Sequence, residues 1–344
     1  MKRSTLYNKK SREDLKESLK AESFKRITAS FYKYFTIDDP NSFRDMIYIK
    51  WDDLDIFGRI YIASEGINAQ LSVPENQWEK FIATINEIKN LENVSIKKAL
   101  DDGHSFYKLT IKVREELVAY HVSSDTFDMK KTGKHLNAEE YNKALENSET
   151  IVVDMRNYYE SEIGRFENAL IPDVETSKEL LPKVKKMLNG NENKQILLYC
   201  TGGIRCEKAS AYLIQNGFKN VNQLQGGIIQ YAHDVKEKGL QSKFRGKNFV
   251  FDQRLGERVT DDILSFCHIC GLSCDSHTDC KNDACHILFI QCENCREEFD
   301  GCCSKECKSF AELPIEEQKT LRKDPERMIS KTFFDSRVKP RLNS

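Results

Sequence analysis

Cys200 ends the apolar run "QILLYC"; "TGGIR" follows at once, and then the helical pattern "CEKASAYLIQNGF" begins. A thiol there is well placed for chemistry, because ligands gather beyond the carboxyl ends of strands in a parallel sheet. Gly202 and Gly203 let backbone amides turn into one concavity, a nest that attracts anions. The helix N-terminus adds partial positive charge, and Arg205 adds a full one. Each effect favours thiolate, so the pattern predicts a depressed pKa and a reactive sulfur at Cys200. Thr201, Gly202, Gly203 and Ile204 form the anion-binding loop in this reading. A cysteine at a strand end can also be inert packing, but here the glycines, the arginine and the strand-to-helix context coincide. Cys206 stays open to two readings: a thiol that resolves an oxidised or persulfidated Cys200, or a packing residue of the helix. His233, a lone histidine on a helix, is expected at the surface.

A second chemistry lies further on. Of 12 cysteines, only Cys200 and Cys206 precede residue 267. The other ten are Cys267, Cys270, Cys274, Cys280, Cys285, Cys292, Cys295, Cys302, Cys303 and Cys307. Cys267-x2-Cys270 and Cys292-x2-Cys295 each turn two thiolates towards one ion, and together they can complete a tetrahedral zinc site. The block could fill two four-ligand sites with residues to spare, with His268, His277 and His286 as further candidates. Mixed Cys/His content favours a structural zinc over an iron–sulfur cluster. A stretch so poor in apolar residues needs such a staple.

The elements that must position these groups follow from periodicity. "TIVVDM", "KQILLYC" and "VNQLQGG" are short apolar strands alternating with amphipathic helices, which implies a parallel sheet covered on both faces. Asn137 is expected to cap the first of these helices, and Gly217 to close the helix after the loop. Upstream, "SFYKYFTI", "GRIYIASEGINAQLSV" and "SFYKLTIKVR" read as strands. A helix starting at Asp39-Pro40 and a stripe of Trp78, Phe81, Ile82, Ile85 and Ile88 supply two helices. The order β-α-β-β-α-β suggests a ferredoxin-like unit closed by "SFYKLTIKVR". The expected divisions are a polar arm (1–24), a ferredoxin-like, acylphosphatase-like α+β domain (25–125), an α/β domain (137–241), a Cys-rich metal-binding domain (245–310) and a polar basic tail (311–344).

Lys+Arg (53) and Asp+Glu (54) nearly cancel, so no global field argues for nucleic acid, although a local basic surface remains open. No apolar run approaches the roughly 18 residues that span a membrane, and the N-terminus has no apolar segment of a secretory signal. Cytoplasmic location is expected, and in a reducing compartment clustered cysteines read as metal ligands.

The loop "YCTGGIRCEKAS" resembles the active-site loop of the rhodanese superfamily. "VVDMRNYYESEIGRFENAL" resembles that fold's earlier signature, carried here by Asp154, Arg156, Gly164 and Ala169, and "LQGGIIQYA" resembles its closing turn. Four residues separate Cys200 from Arg205. Related phosphatases have one more, so the six-residue loop suits persulfide chemistry better than phosphate. The resemblance implies that Cys200 is the nucleophile, that Arg205 orients the loop or neutralises charge, and that Asp154 and Arg156 organise the base of the site. "GKNFVFDQRLGERV" and "CHICGLSCDSHTDCKNDACHILFIQC" extend the likeness to about residues 25–310, to the bacterial rhodanese-domain tRNA uridine 5-hydroxylases. It implies a central rhodanese domain, oxygen-dependent hydroxylation at C5 of wobble uridine 34, and molecular oxygen as co-substrate. No flavin, haem or nicotinamide motif is legible. The implied partners are tRNA, held by its anticodon arm, and a sulfur or electron donor protein; no membrane or DNA partner is implied. Arg254, Arg258, Arg337, Lys339 and Arg341 are candidate phosphate contacts. The alternatives are a rhodanese-type sulfurtransferase acting on tRNA or a protein, and a zinc-dependent RNA- or protein-binding module with a redox-sensing loop.

Overall fold

The computed structural model describes residues 6, 11–101, 103–122, 128–174 and 177–322. Arg337, Lys339 and Arg341 therefore lie outside the described residues. Within the polar arm, α1 (Arg12–Lys20) starts at Ser11, whose hydroxyl accepts from the Asp14 amide at 3.1 Å.

The first unit runs β1 (Arg26–Tyr34), α2 (Pro40–Asp52), β2 (Phe57–Ala63), β3 (Gly66–Pro74), α3 (Trp78–Asn86), β4 (Lys97–Lys98) and β5 (Leu109–Val113). Asp39 caps α2 by accepting from the Asn41 and Ser42 amides, and Pro40 occupies the first turn, where its missing N–H costs nothing. The sheet order is β4-β1-β3-β2-β5. Strand alternation decides its two faces. Phe31, Ile60, Ile62, Ala69 and Leu71 pack under Trp51 and Phe81 of the two helices. Thr28, Ser30, Tyr32, Arg59, Tyr61, Asn68 and Gln70 point the other way, into a cleft.

The closing strand differs from expectation. β5, the "LTIKV" stretch, does not complete the β-α-β-β-α-β unit. It adds parallel to β2 at the far edge. The completing strand is β4, only two residues long, antiparallel to β1 through Ala29 and Ser30. A two-residue strand has no periodicity to read, whereas β5 is apolar and alternating.

The second unit runs β6 (Lys134–Leu136), α4 (Ala138–Leu145), β7 (Ile151–Asp154), α5 (Tyr158–Glu162), β8 (Gly164–Phe166), α6 (Ser177–Leu188), β9 (Gln195–Tyr199), α7 (Ile204–Gln215), β10 (Asn220–Leu224) and α8 (Gly227–Lys238). Asn137 and Glu140 form a capping box at α4. The sheet order β6-β10-β9-β7 is parallel throughout. Along β9, Ile196, Leu198 and Cys200 face α6 and α7, while Leu197 and Tyr199 face α4 and α8. That alternation puts the Cys200 sulfur on the side where α7 begins.

The chain then forms β11 (Phe244–Asn248), antiparallel to β8 and to β12 (Glu257–Arg258). The Cys-rich unit holds the hairpin β13 (His277–Asp279) and β14 (Leu288–Ile290), then α9 (Glu293–Glu298), α10 (Lys305–Ala311) and α11 (Ile315–Leu321). Among the described residues, no helix is long and apolar enough to cross a membrane.

Candidate active site

The loop from Cys200 to Arg205 wraps around the sulfur. Gly203 has φ +100° as the N-cap of α7, a conformation that L side chains rarely adopt. Its amide donates to Cys200 Sγ at 3.1 Å. A floor lies beneath. Gly227, at φ +69°, begins α8 under the loop. The Ile228 and Ile229 amides donate to the carbonyls of Cys200 and Thr201 at 3.0 and 3.2 Å. The loop is therefore hung between the starts of two helices.

Buried charge holds it from the side. The Arg205 guanidinium forks onto the Glu160 carboxylate at 2.6 and 2.8 Å. The fork ties the loop to Glu160 of α5, and the Arg205 charge favours thiolate at Cys200. Asp154 accepts from Arg156 Nη2 at 2.7 Å, from Ser161 at 2.8 Å and from Tyr199 at 2.6 Å. Arg156 also donates to the Gly164 carbonyl at 2.6 Å. Such a pair, fully buried and fully bonded, is structural: removing one partner would strand the other charge.

Burial pushes the Cys200 thiol up, but the hydrogen bond from Cys206, the charge of Arg205 and the amides of Arg205 and Gly203 outweigh it and lower it to about 6. Burial, with the thiolate beside it, pushes the Cys206 thiol well above its ordinary value. These opposite shifts favour thiolate at Cys200 and thiol at Cys206. The thiolate is the reactive, deprotonated form, so reactivity is present above the depressed pKa and lost as pH falls through it. Peptide-resolved iodoacetamide alkylation of Cys200 is expected to rise with a midpoint near pH 6, against about 8.5 for an ordinary cysteine. A midpoint above 8 would refute the cradle's electrostatics.

The loop opens into a cleft of about 1820 Å³ between all three units. Tyr61, Tyr107, Tyr159, Phe249 and Phe251 supply aromatic faces, and Lys16, Arg59, Lys108 and Arg114 supply cations. An unpaired base could stack there with its phosphates near charge. Two candidate phosphate contacts carry carboxylate partners. Arg254 is engaged by Asp252 at 2.5 Å and Glu257 at 2.6 Å, and Arg258 by Asp275 at 2.7 Å. Arg254 also donates to the Asp101 carbonyl at 2.9 Å, so it pins the third region to the first. His233 is partly exposed, its Nε2 2.9 Å from the Lys98 carbonyl.

Sequence reasoning missed four residues here. Tyr32 donates to Glu207 at 2.9 Å across the junction of the first two units. Glu207 is fixed further by His135 at 2.9 Å and Gln223 at 3.0 Å. Lys97 borders the same space, and Glu160 was hidden in a short helix. For Tyr32 a signal existed: alternation along "SFYKYF" places Tyr32 opposite Phe31. Nothing local marks the others.

The ten clustered cysteines are all unbridged, and eight of them sort into two groups of four. Cys267, Cys270, Cys292 and Cys295 form one, and Cys280, Cys285, Cys303 and Cys307 the other, each with its sulfurs within 4.8 Å of one another. Along the chain the pairs alternate, Cys267/Cys270, Cys280/Cys285, Cys292/Cys295 and Cys303/Cys307, so the two groups interleave. Cys274 and Cys302 belong to neither group; both are buried in the packing of this unit. The histidines also stand apart. His268 sits 2.9 Å from Glu162, His277 is buried edge-on to Phe249, and His286 is exposed near Asp283.

Three family descriptions match the chain: a UPF0176 acylphosphatase-like domain over residues 26–117, a rhodanese-like domain over 137–234 and a rhodanese C-terminal region over 245–308. A tRNA uridine(34) hydroxylase of Leptospira interrogans is 48% identical over 344 residues, covering 99% of this chain and 93% of that protein. The tRNA uridine(34) hydroxylase of Photorhabdus laumondii is 52% identical over 319 residues, covering 92% and 91%. Among solved structures, a rhodanese-like domain protein of Staphylococcus aureus is 28% identical, with a TM-score of 0.24, covering 28% of this chain and 90% of that one.

Proposed function

The chain belongs to the tRNA uridine(34) hydroxylase family, and on that premise we propose that it hydroxylates uridine 34 of tRNA at C5 with Cys200 as the nucleophile. The observation that carries this reading is the thiolate cradle of Cys200 opening into the aromatic, cation-lined cleft. Uracil is electrophilic at C6. The thiolate adds there, and C5 becomes electron-rich towards an oxidant. Molecular oxygen is the oxidant in this reading. Where one oxygen atom enters C5 and the other leaves as water, two electrons come from a donor protein. Cys206, held protonated beside Cys200, stabilises the thiolate that leaves when the sulfur is released.

The anticodon arm is the part of tRNA this cleft suits. Wobble uridine lies in a single-stranded loop, so it can be splayed out and stacked without opening a duplex. The enzyme would then work where tRNA is, in the cytoplasm. The test is tRNA nucleoside analysis after reaction of purified protein with unmodified tRNA: 5-hydroxyuridine at position 34 supports the reading, and its absence with 2-thiouridine formed supports sulfur transfer instead.

We also read each four-cysteine group as holding one structural zinc. An ion bonded to four sulfurs at about 2.3 Å sets neighbouring sulfurs about 3.8 Å apart. Cys270 and Cys292 lie at 3.6 Å, Cys285 and Cys303 at 3.7 Å, and Cys303 and Cys307 at 3.6 Å. Zinc there supplies cross-links and no reaction step. The hairpin β13–β14 that it braces lends His277, Thr278 and Leu288 to the cleft wall. Zinc binding by tetrathiolate sites contributes roughly 10–16 kcal/mol, so metal loss is expected to unfold this unit and weaken tRNA binding at least about tenfold. Elemental analysis should find two zinc ions per chain. Cys270→Ser and Cys303→Ser should each lose one; Cys274→Ser and Cys302→Ser should lose none. Retention of both ions by Cys303→Ser would contradict the assignment.

A further inference from the structure

Lys97 is an odd residue to bury. It belongs to the two-residue edge strand β4, yet only 6% of it is exposed. Its stem crosses the turn beneath the Cys200 loop so closely that a Cβ at Gly226 would lie 3.0 Å from Lys97 Cε. Its ammonium ends 4.9 Å from the centroid of the Tyr32 ring. Among the described residues, it makes no hydrogen bond and no ion pair with a carboxylate. Glu207, whose charge acts on it, is already held by Tyr32, His135 and Gln223. A buried ammonium with no acceptor is costly unless something else satisfies it. Burial lowers its pKa, and the negative charges of Cys200 and Glu207 counter that. Lys97 lines the cleft together with Tyr32 and Cys200, and the cation and the loop at Gly203 both lie against Tyr32.

We propose that Lys97 is a catalytic residue of uridine hydroxylation, donating its N–H to the uracil O4 on which negative charge gathers when Cys200 adds. The proposal rests on the reading of Cys200 as the nucleophile. The bookkeeping of the step closes without an oxidant. The thiolate electron pair forms the S–C6 bond. The C5=C6 pair moves between C5 and C4, and the C4=O4 pair moves onto O4. Nothing is oxidised, and reversal regenerates thiolate and uracil. A preorganised donor in a water-poor site stabilises that enolate oxygen far more than the neutral carbonyl before it. The first domain therefore contributes to the chemistry itself as well as to holding RNA.

The step has a signature that needs no oxygen. Each addition lets C5 take a deuteron from solvent, and elimination then returns uridine with deuterium at C5. Full-length protein and an anticodon stem-loop RNA are incubated in D2O without oxygen, and C5 exchange at uridine 34 is read by mass spectrometry. Wild type is expected to exchange. Lys97→Met is expected to exchange about 10²–10³-fold more slowly, with RNA affinity within a few-fold and unchanged Tm and metal content. Lys97→Arg should recover at least a tenth of the rate. Exchange by Lys97→Met at the wild-type rate would overturn the proposal, as would weakened RNA binding with an unchanged rate. Absence of exchange in wild type would overturn the Cys200 addition on which it rests.

Discussion

Cys200→Ser is expected to abolish 5-hydroxyuridine formation, lowering kcat at least about 10³-fold, as loss of a nucleophile does. The physical reason lies in the cradle. The Gly203 N–H donates to the sulfur, and with the Arg205 charge and the neighbouring Cys206 thiol it lowers the Cys200 pKa to about 6, which favours thiolate at neutral pH. Serine is isosteric enough to keep the fold, but its hydroxyl stays protonated there and is a far weaker nucleophile. The substitution should leave Tm within a few degrees and RNA binding nearly unchanged, because Cys200 is buried and contributes packing that a hydroxymethyl group largely retains. In cells lacking the protein, nucleosides derived from 5-hydroxyuridine should return with wild type and not with the serine variant. If 2-thiouridines fell in their place, sulfur transfer would be the activity.

Gly227→Ala is the second large effect, and it acts from beneath the loop. A Cβ at Gly227 would lie 2.6 Å from the carbonyl oxygens of both Cys200 and Thr201, and 2.8 Å from the Gly202 amide. All three are backbone atoms, so none can swing aside. The residue also sits at φ +69°, where a side chain costs about 1–2 kcal/mol before any clash. Relief requires the loop to lift off α8, breaking the bonds from Ile228 and Ile229. Overpacking adds roughly 1–3 kcal/mol. We expect a loss of several degrees in Tm, a fall in activity of at least about 10²-fold, and an alkylation midpoint for Cys200 displaced upward from about 6. Wild-type activity in Gly227→Ala would mean that the loop does not need this floor.

The middle domain was the most legible part of the chain because its signals are local. Apolar β-branched strands, an N-cap at Asn137 and glycines after helices are all read within a few residues. The Cys200 cradle was legible for the same reason: sulfur, glycines and arginine are contiguous. What could not be read depends on the chain meeting itself. The partner of Arg205 is Glu160, 45 residues away. Lys97 reaches the site only because β4 closes the first sheet beside β1. The cysteines announced metal by their number and by two Cys-x2-Cys pairs, and those pairs do meet in one group. The second group has wider spacings, Cys280 to Cys285 and Cys303 to Cys307, and its assembly over the first is a tertiary fact. The carboxylate partners of Arg254 and Arg258 were not legible as such, because they lie both near and far in sequence.

The central claim is that the Cys200 sulfur bonds to uridine 34. The most direct measurement uses an anticodon stem-loop carrying 5-fluorouridine at that position, with oxygen and the electron donor present: once oxygen enters C5, no proton is left there to lose, so expulsion of the sulfur is blocked and the adduct persists. After incubation, nuclease and protease digestion and mass spectrometry locate any nucleotide bound to protein. The account predicts one 5-fluorouridine-derived nucleotide on the peptide containing Cys200, formed above pH 6 and absent in Cys200→Ser. Turnover of unmodified RNA to 5-hydroxyuridine by the same preparation, with no such adduct on Cys200, would contradict it.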